Sequence, residues 1–230
     1  MQAGRIAETL RRSALFSDLE DEVLNELAGR TVERTFRKGE RIFYQGDPGD
    51  SLYVIASGMV KVVVTSEHGD EMVLVTLRDG ESFGELALID GRPRSATAEA
   101  VDQTTVLILG RETMLDLMQG RRNVTEGLLR SLGGLIRRLT EQTSDLVFLD
   151  LHGRVAKLLV GMAEERGKPS EEGILLDLHL TQSDLASMVG GSRQSVNQIL
   201  RSFEQRGYLT LQGRAVSIQD IERLRKRAMS

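Results

Sequence analysis

Between Thr31 and Leu109 the chain alternates short apolar runs with polar residues, and glycines separate most of the runs. The segments 52–56 and 60–64 are rich in β-branched residues, and a hairpin turn is predicted after the second, at 67–70. Further strands are predicted at 72–77 and at 104–109, following the same pattern. Many short strands at nearly regular spacing predict a β-barrel or jelly roll.

Outside this part of the chain the apolar positions follow helical spacing. Ser17 and Glu20 have the spacing of a capping box, which predicts a helix from there to about Arg30. A short helix is predicted over 111–118 and a long one from Asn123 to about Leu149. The apolar positions of the first helix, which are predicted to lie in the core, are Leu19, Val23, Leu24, Leu27 and Ala28.

The long helix carries apolar residues at alternating spacings of four and three, which is typical of a coiled-coil seam. One polar residue, Gln142, interrupts the seam. The pattern favours a parallel homodimer, and the alternative is a helix that packs on its own barrel. The predicted seam consists of Leu128, Leu132, Leu135, Leu139, Gln142, Leu146 and Leu149.

The C-terminal part predicts a helix, a glycine turn and a second helix. Thr181 and Asp184 resemble a capping box for a helix that ends at Val189, and Gly190 and Gly191 form the turn. Ser192 then caps a second helix that reaches about Arg206 and ends at Gly207. This arrangement is a helix-turn-helix.

Further elements are predicted around it. Asp150 is predicted to cap a helix over 151–166, which places a domain boundary near 149–151. A strand is predicted over 174–180, before the helix-turn-helix. After it, two strands (208–211 and 214–218) form a wing, and a last, basic helix covers 219–229.

Composition narrows the class of protein. A chain of 230 residues can form one or two domains with a full core. The absence of cysteine excludes disulfides, thiolate zinc sites and iron–sulfur clusters. No apolar run reaches the ~18 residues of a membrane span, and the N-terminus is too charged for a signal peptide, so a cytoplasmic protein is expected.

Net charge is distributed unevenly along the chain. The whole chain carries −4, which by itself argues weakly against binding to nucleic acid. Residues 151–230, however, contain 12 basic and 9 acidic residues, a net charge of +3. Residues 1–150 contain 18 basic and 25 acidic residues, a net charge of −7. This asymmetry favours a nucleic-acid-binding module in the C-terminal part.

Residues 83–98, FGELALIDGRPRSATA, hold the groups that would bind a small anion attached to a sugar. Backbone N–H groups in a tight turn at 84–87 can form a nest for a phosphate, and Arg94 offers a planar fork for its oxygens. Glu85 would repel a phosphate unless it accepts hydrogen bonds from hydroxyls such as those of ribose. The alternative is a β-hairpin in which Arg94 pairs with Glu85 or Asp90.

This stretch resembles the phosphate-binding cassette of cyclic-nucleotide-binding domains, and residues 38–62 are similar to the glycine-punctuated strands of the same domain. The C-terminal half resembles the winged helix-turn-helix of the cyclic AMP receptor protein and fumarate-nitrate regulator (CRP/FNR) family. The resemblance covers nearly the whole chain. It implies an α+β fold with an N-terminal cyclic-nucleotide-binding β-barrel (jelly roll, 1–122), a long dimerisation helix (123–149) and a C-terminal winged helix-turn-helix (150–230).

The resemblance also assigns the ligand contacts. It implies that Glu85 accepts from the ribose 2′-hydroxyl, that Arg94 binds the cyclic phosphate and that Ser95 donates a hydroxyl hydrogen bond. The residues implied to line the ribose and phosphate are Gly84, Glu85, Leu86 and Ala87.

The base end departs from the family's best-known pattern. Where that pattern has a Thr-Ser pair on the dimer helix, this chain has Leu139 and Thr140. Thr140 can still offer a hydroxyl, whereas Leu139 can only pack against a purine. The expected effector is cyclic AMP, with cyclic GMP as the alternative.

For DNA, the resemblance implies that Arg193, Gln194, Asn197 and Gln198 on the second helix read bases in the major groove. In the family, the residues that read bases are an Arg, a Glu and a second Arg. This chain has Gln194 in place of the Glu and Gln198 in place of the second Arg. The predicted half-site is therefore related to the family's TGTGA but is changed or relaxed at the positions that these two residues read. The residues predicted to hold phosphates are Thr181, Gln182, Ser183, Ser192, Ser195, Gln212 and Arg214.

The sequence therefore predicts a ligand-gated transcription regulator that binds double-stranded DNA as a homodimer, with RNA polymerase as a further candidate partner. A constitutive DNA-binding protein with an inactive pocket is the rival, favoured by Leu139. A haem sensor is disfavoured, because His68, His152 and His179 do not stand in pocket-like contexts. An enzyme is disfavoured, since no nucleophile–base pair, metal cluster or P-loop is found.

Overall fold

The computed structural model describes residues 2–170, 173–178, 180–213 and 215–229. The chain divides into two compact units, residues 1–137 and 138–230. The first unit contains α1 (Gln2–Arg12), α2 (Asp21–Gly29), β1 (Val32–Phe36), β2 (Arg41–Phe43), β3 (Ser51–Ser57), β4 (Met59–Thr65), β5 (Glu71–Arg78), β6 (Ser82–Phe83), α3 (Glu85–Asp90), β7 (Thr97–Ala100), β8 (Thr104–Gly110) and α4 (Arg111–Gly120). The long helix α5 (Arg122–Phe148) contributes residues to both units.

The eight strands of the first unit form two antiparallel sheets with the orders β1-β8-β3-β6 and β2-β7-β4-β5. Side chains from both sheets meet in one buried cluster, so the sheets face each other. This confirms the predicted jelly roll. The cluster consists of Phe36, Ile55, Val60, Leu77, Phe83, Ala98, Ala100 and Val106.

A second core lies on the other face of the first sheet. Successive side chains of a strand point to opposite faces, and both faces of β3 are covered: Leu52 and Val54 pack against the helices, whereas Ile55 packs against the facing sheet. The run 52–56 therefore carries no polar residue.

The N-terminal region differs from the sequence prediction. The chain begins with α1, a helix that the sequence analysis did not predict. The capping box at Ser17 and Glu20 is wrong, because α2 begins at Asp21 and Glu20 is its N-cap without a side-chain cap hydrogen bond. Buried apolar residues, including Phe16, hold the preceding segment in turns. The five predicted core positions of this region are all buried.

Helix α5 is continuous over residues 122–148, but one predicted seam residue faces the interior. Leu128 is buried in the core between the helices and β3, so it is not available to a second copy of the chain. The neighbouring Leu129 is 62% exposed and Ile136 is 64% exposed. Leu129 and Ile136 therefore offer exposed apolar surface next to the predicted seam, and of the seam residues themselves Leu146 is 42% exposed.

The described residues of the second unit after α5 form four helices and a small sheet of order β11-β12-β10-β9. The predicted strand 174–180 is shorter, since β10 ends at Asp177, and the predicted last helix is shorter at both ends. The elements are α6 (Leu151–Arg166), β9 (Lys168–Ser170), β10 (Gly173–Asp177), α7 (Gln182–Val189), α8 (Arg193–Gln205), β11 (Leu209–Gln212), β12 (Ala215–Ile218) and α9 (Ile221–Arg227).

The predicted caps of this unit are confirmed. Asp150 accepts from the N–H of Gly153 at the start of α6, and Thr181 and Asp184 form a reciprocal capping box on α7. Ser192 caps α8. None of the helices in the described residues is long and apolar enough to cross a membrane.

Candidate functional site

Arg94 is held in place by the backbone on both sides of its side chain. Its N–H donates to the carbonyl of Asp47 at 2.8 Å, and its carbonyl accepts from the N–H of Gly46 at 2.9 Å. The loop between β2 and β3 thus fixes the segment that joins α3 to β7. The residue is only 4% exposed, so its charge lies inside the protein.

The guanidinium lies directly against the turn at Gly84. Nη1 donates to the carbonyl of Gly84 at 2.8 Å, and Nη2 donates to the carbonyl of Ser51 at 2.9 Å. The buried Nε has no hydrogen-bond partner within the described residues. Nor does the guanidinium form an ion pair with Glu85 or Asp90 in that part of the chain, so the structure does not support the hairpin alternative.

A buried cation with an unused donor is costly unless an anion accompanies it. Arg94 and the turn at residues 84–87 are brought together as the sequence predicts, and their arrangement suits an anionic ligand. That these residues contact a ligand stays a prediction.

Gly84 has no room for a side chain. Its φ is +84°, in the left-handed region, and it is the N-cap of α3. A Cβ there would lie 2.7 Å from Nη1 of Arg94 and 3.2 Å from Cδ2 of Tyr53. Glycine therefore lets the arginine approach the backbone of the turn.

Glu85 is a buried carboxyl at the first position of α3 and is 9% exposed. Burial raises the pKa of the Glu85 carboxyl above its ordinary value, whereas its own backbone N–H and the charge of Arg94 act in the opposite direction. A hydroxyl that donates to this carboxylate would replace lost hydration. Of the other predicted ligand residues, Ala87 is buried, whereas Leu86 and Ser95 are exposed.

An aromatic cluster surrounds the arginine, and the sequence analysis did not identify it. The guanidinium lies 4.4 Å from the ring centroid of Phe43 and 5.4 Å from that of Tyr53. Tyr53 in turn stacks on Phe83 with centroids 5.1 Å apart, because the two residues pair across β3 and β6. The sequence offered little signal for the cluster. Tyr53 falls on the predicted strand 52–56, Phe43 lies in the segment 38–62 that resembles the strands of the domain, and Phe83 begins the stretch 83–98.

The two residues predicted at the base end lie on the part of α5 that belongs to the second unit. Leu139 is half-buried and Thr140 is exposed. Their contact with a base stays a prediction.

Helix α8 presents one apolar and one polar face. Val196, Ile199, Leu200 and Phe203 are buried, and three of the predicted base-reading residues, Arg193, Gln194 and Gln198, are exposed. The turn before α8 depends on Gly190, whose φ is +64°, and on Gly191, where a Cβ would lie 2.8 Å from the side chain of Leu151. A compact turn of this kind lets a recognition helix project from the unit.

Several residues predicted to bind DNA contact one another instead of standing alone. Nδ2 of Asn197 donates to Oε1 of Gln182 at 2.9 Å. The hydroxyls of Thr181 and Ser192 serve as helix caps, and Ser195 contacts Ser192. Gln212 and Ser183 are exposed, and Arg214 lies outside the described residues.

Two family models match the chain. Residues 33–121 match the cyclic nucleotide-binding domain, and residues 153–227 match the Crp-like helix-turn-helix domain. A CRP-like cAMP-activated global transcriptional regulator of Mycobacterium tuberculosis is 34% identical over 221 residues, which cover 96% of this chain and 99% of the relative. The chain belongs to the CRP/FNR family. It is a DNA-binding transcription regulator with a cyclic nucleotide-binding domain, and its relatives are not enzymes.

Other CRP/FNR proteins have the same organisation. The cyclic AMP receptor protein of Thermus thermophilus is 32% identical over 211 residues, covering 92% of this chain and 94% of the relative. The solved structure of the c-di-GMP-responsive global regulator CLP of Xanthomonas campestris has a TM-score of 0.78 at 23% identity, covering 86% of this chain and 99% of its own length. At that identity the likeness concerns the fold alone.

Proposed function

We propose that this chain is a cyclic AMP-responsive regulator that binds a palindromic operator as a homodimer. The observation that carries the proposal is the buried guanidinium of Arg94, which lies against the turn at Gly84 with Nε unpaired. The named relatives that are activated by cyclic AMP support the choice of effector.

The described residues fit a cyclic nucleotide. Arg94 would hold the anionic phosphate, and Ser95, which is exposed beside it, would donate a hydrogen bond. Glu85 would accept from the ribose, which compensates for the burial that raises the pKa of its carboxyl. Thr140 would offer a hydroxyl to the base, and Leu139 would pack against it. The nucleotide would supply the negative charge that this buried cation lacks.

A second copy of the chain would cover the exposed apolar residues of α5. Leu129 and Ile136 are seven residues apart, and Leu132, which is half-buried, lies between them at heptad spacing. Burying a side chain of this size contributes about 1.5–3 kcal/mol. A homodimer would also place two α8 helices on the two halves of a palindromic site. Such a regulator would act in the cytoplasm, with RNA polymerase as a further candidate partner.

The test is calorimetric titration of the purified protein with cyclic AMP, cyclic GMP and cyclic di-GMP, followed by selection from a random DNA pool with and without each nucleotide. We expect cyclic AMP to bind and to be required for enrichment of a palindromic site. Light scattering would measure the mass of the protein in both conditions. Failure of cyclic AMP to bind or to change the enrichment of DNA, or a monomer in every condition, would contradict the proposal.

The rival function is a constitutive DNA-binding regulator. Leu139 favours it, because a leucine at the base end cannot provide the hydrogen bond that would couple a base to the long helix. In that case the same DNA site would be enriched equally with and without nucleotide.

A further inference from the structure

The two helices of the helix-turn-helix are joined by a hydrogen bond between side-chain amides. Nδ2 of Asn197 donates to Oε1 of Gln182 at 2.9 Å, in a partly buried position. Gln182 is the first residue of α7, and Asn197 is the fifth residue of α8. The bond thus connects the start of one helix to the second turn of the other.

Asn197 is placed to reach a base edge. It lies four residues after the exposed Arg193, so the two side chains share one stripe of α8, and the exposed Gln198 is its neighbour. Val196 and Leu200 are buried, so Asn197, which is half-buried, lies at the border between the buried and the exposed face of α8. An asparagine that points into the major groove pairs best with adenine, since Oδ1 accepts from N6 and Nδ2 donates to N7.

The bond to Gln182 shows which way the amide of Asn197 is turned in this structure. A free asparagine amide can exchange its oxygen and its nitrogen by rotation and can present either edge to DNA. Here Nδ2 donates one proton to Oε1 of Gln182, so the nitrogen lies on the side of α7. The second proton and Oδ1 then remain for the base, in the order that adenine requires.

We propose that Gln182 is a positioning residue for sequence reading: its carbonyl oxygen orients the amide of Asn197, which then selects adenine at one position of each half-site. Gln182 was predicted from the sequence to hold a phosphate, and the structure assigns it a second role. The inference rests on DNA binding by this chain, and it is independent of which nucleotide controls that binding.

The alternative is that the pair only ties α7 to α8. A purely structural bond would influence stability, or affinity for all DNA sequences alike. It would not change which base is preferred. The two roles are therefore separated by base preference rather than by affinity.

The experiment is selection from a random DNA pool, with cyclic AMP present and absent, using the full chain, four single variants and one double variant. Gln182→Met removes the acceptor at similar size, and Gln182→Glu keeps an acceptor. Asn197→Ala removes the reader, and the double variant combines it with Gln182→Met. Gln205→Met makes the same glutamine-to-methionine change at the exposed last residue of α8. Thermal melting of each variant would show that it is folded.

We expect the unchanged protein to prefer adenine at one half-site position by about 5- to 140-fold, the discrimination of a bidentate contact. Asn197→Ala and Gln182→Met should both lose most of this preference, and combining them should cause no further loss. Gln182→Glu should keep the preference even if its charge weakens DNA binding, and Gln205→Met should keep it as well.

Three outcomes would overturn the inference. Gln182→Met could keep the adenine preference while it weakens binding to all sequences, which would leave the pair a structural role only. Asn197→Ala could leave every position of the enriched site unchanged. In both cases the proposed function would stand. If the unchanged protein enriched no site with or without nucleotide, the proposed function would fail together with the inference.

Discussion

Replacing Arg94 by methionine separates the charge of this residue from its packing. Methionine keeps a long apolar side chain that can fill the space beside Phe43 and Tyr53, but it removes the charge and every donor. In the free protein the change removes two charged hydrogen bonds, to the carbonyls of Gly84 and Ser51, of about 1.5–3 kcal/mol each. It also removes the desolvation penalty of a buried ion, which is several kcal/mol.

These two effects oppose each other in the free protein. We therefore expect the free energy of unfolding of the nucleotide-free variant to change by less than about 2 kcal/mol. In the complex no such compensation exists, because the phosphate loses a charged donor. One contact of this kind corresponds to an affinity lower by about 10- to 150-fold.

Calorimetric titration with cyclic AMP measures the affinity, and thermal melting with and without the nucleotide provides a second reading. A ligand at 100 times its Kd stabilises the folded state by about 2.7 kcal/mol, and this increment should fall to about 0.3–1.4 kcal/mol in the variant at the same concentration. Arg92→Met is the matched control, since the side chain of Arg92 is 83% exposed and lies two residues away. Unchanged calorimetric affinity in Arg94→Met would refute the assignment of the phosphate site.

Three further predictions address the same unit. Burial raises the pKa of the Glu85 carboxyl, so between the unfolded and the folded pKa the folded state binds more protons, and its stability falls as pH rises through that window. Glu85→Gln should therefore stabilise the free protein at neutral pH and lose this advantage below pH ~4.5, as thermal melting across pH would show. The same variant should bind the nucleotide more weakly in calorimetry. Gly84→Ala should abolish nucleotide binding in calorimetry, because the added Cβ would meet the side chain of Arg94. The control is Gly39→Ala, where φ is +77° but no atom lies within 4 Å of the added Cβ, so it should only lower the melting temperature. Ile136→Gln should weaken the dimer by about 1.5–3 kcal/mol per copy, measured by sedimentation, whereas Arg137→Gln, at an exposed neighbouring residue, should not. Equal dimer affinities of Ile136→Gln and the unchanged protein would contradict the role of α5.

Local signals in the sequence were sufficient for much of the fold. The caps at Asp150, Thr181 and Ser192 lie at the predicted positions, because each is a hydrogen bond within three residues of chain. The same reasoning failed at Ser17, where the spacing of a capping box is present but buried apolar residues keep the chain in turns. A local motif predicts a helix start only where tertiary packing does not oppose it.

The rotation of α5 about its own axis could not be predicted from its apolar spacing. Residues 128 and 129 are both leucine, and a rotation of about 100° decides which one faces the core. The structure shows what sets this rotation: Gly127 lies so close to the segment before α2 that a Cβ would come within 3.1 Å of the carbonyl of Ala14. The glycine brings Leu128 into the core and leaves Leu129 exposed.

The candidate sites show a similar limit. The residue types were predicted from motifs, but several of the groups they contact were not, because these come from distant segments. Arg94 donates to the carbonyl of Ser51 and lies over the ring of Phe43, and Asn197 donates to Gln182. These partners occupy some of the polar atoms and leave others open, namely Nε of Arg94 and Oδ1 of Asn197 by the bonds described. Since a ligand or a base can only use what the fold leaves open, selectivity in this regulator depends on the partners as much as on the motif residues. Variants of Gln182 and Phe43 should therefore change selectivity, although the sequence predicted Gln182 only as a phosphate contact and did not single out Phe43.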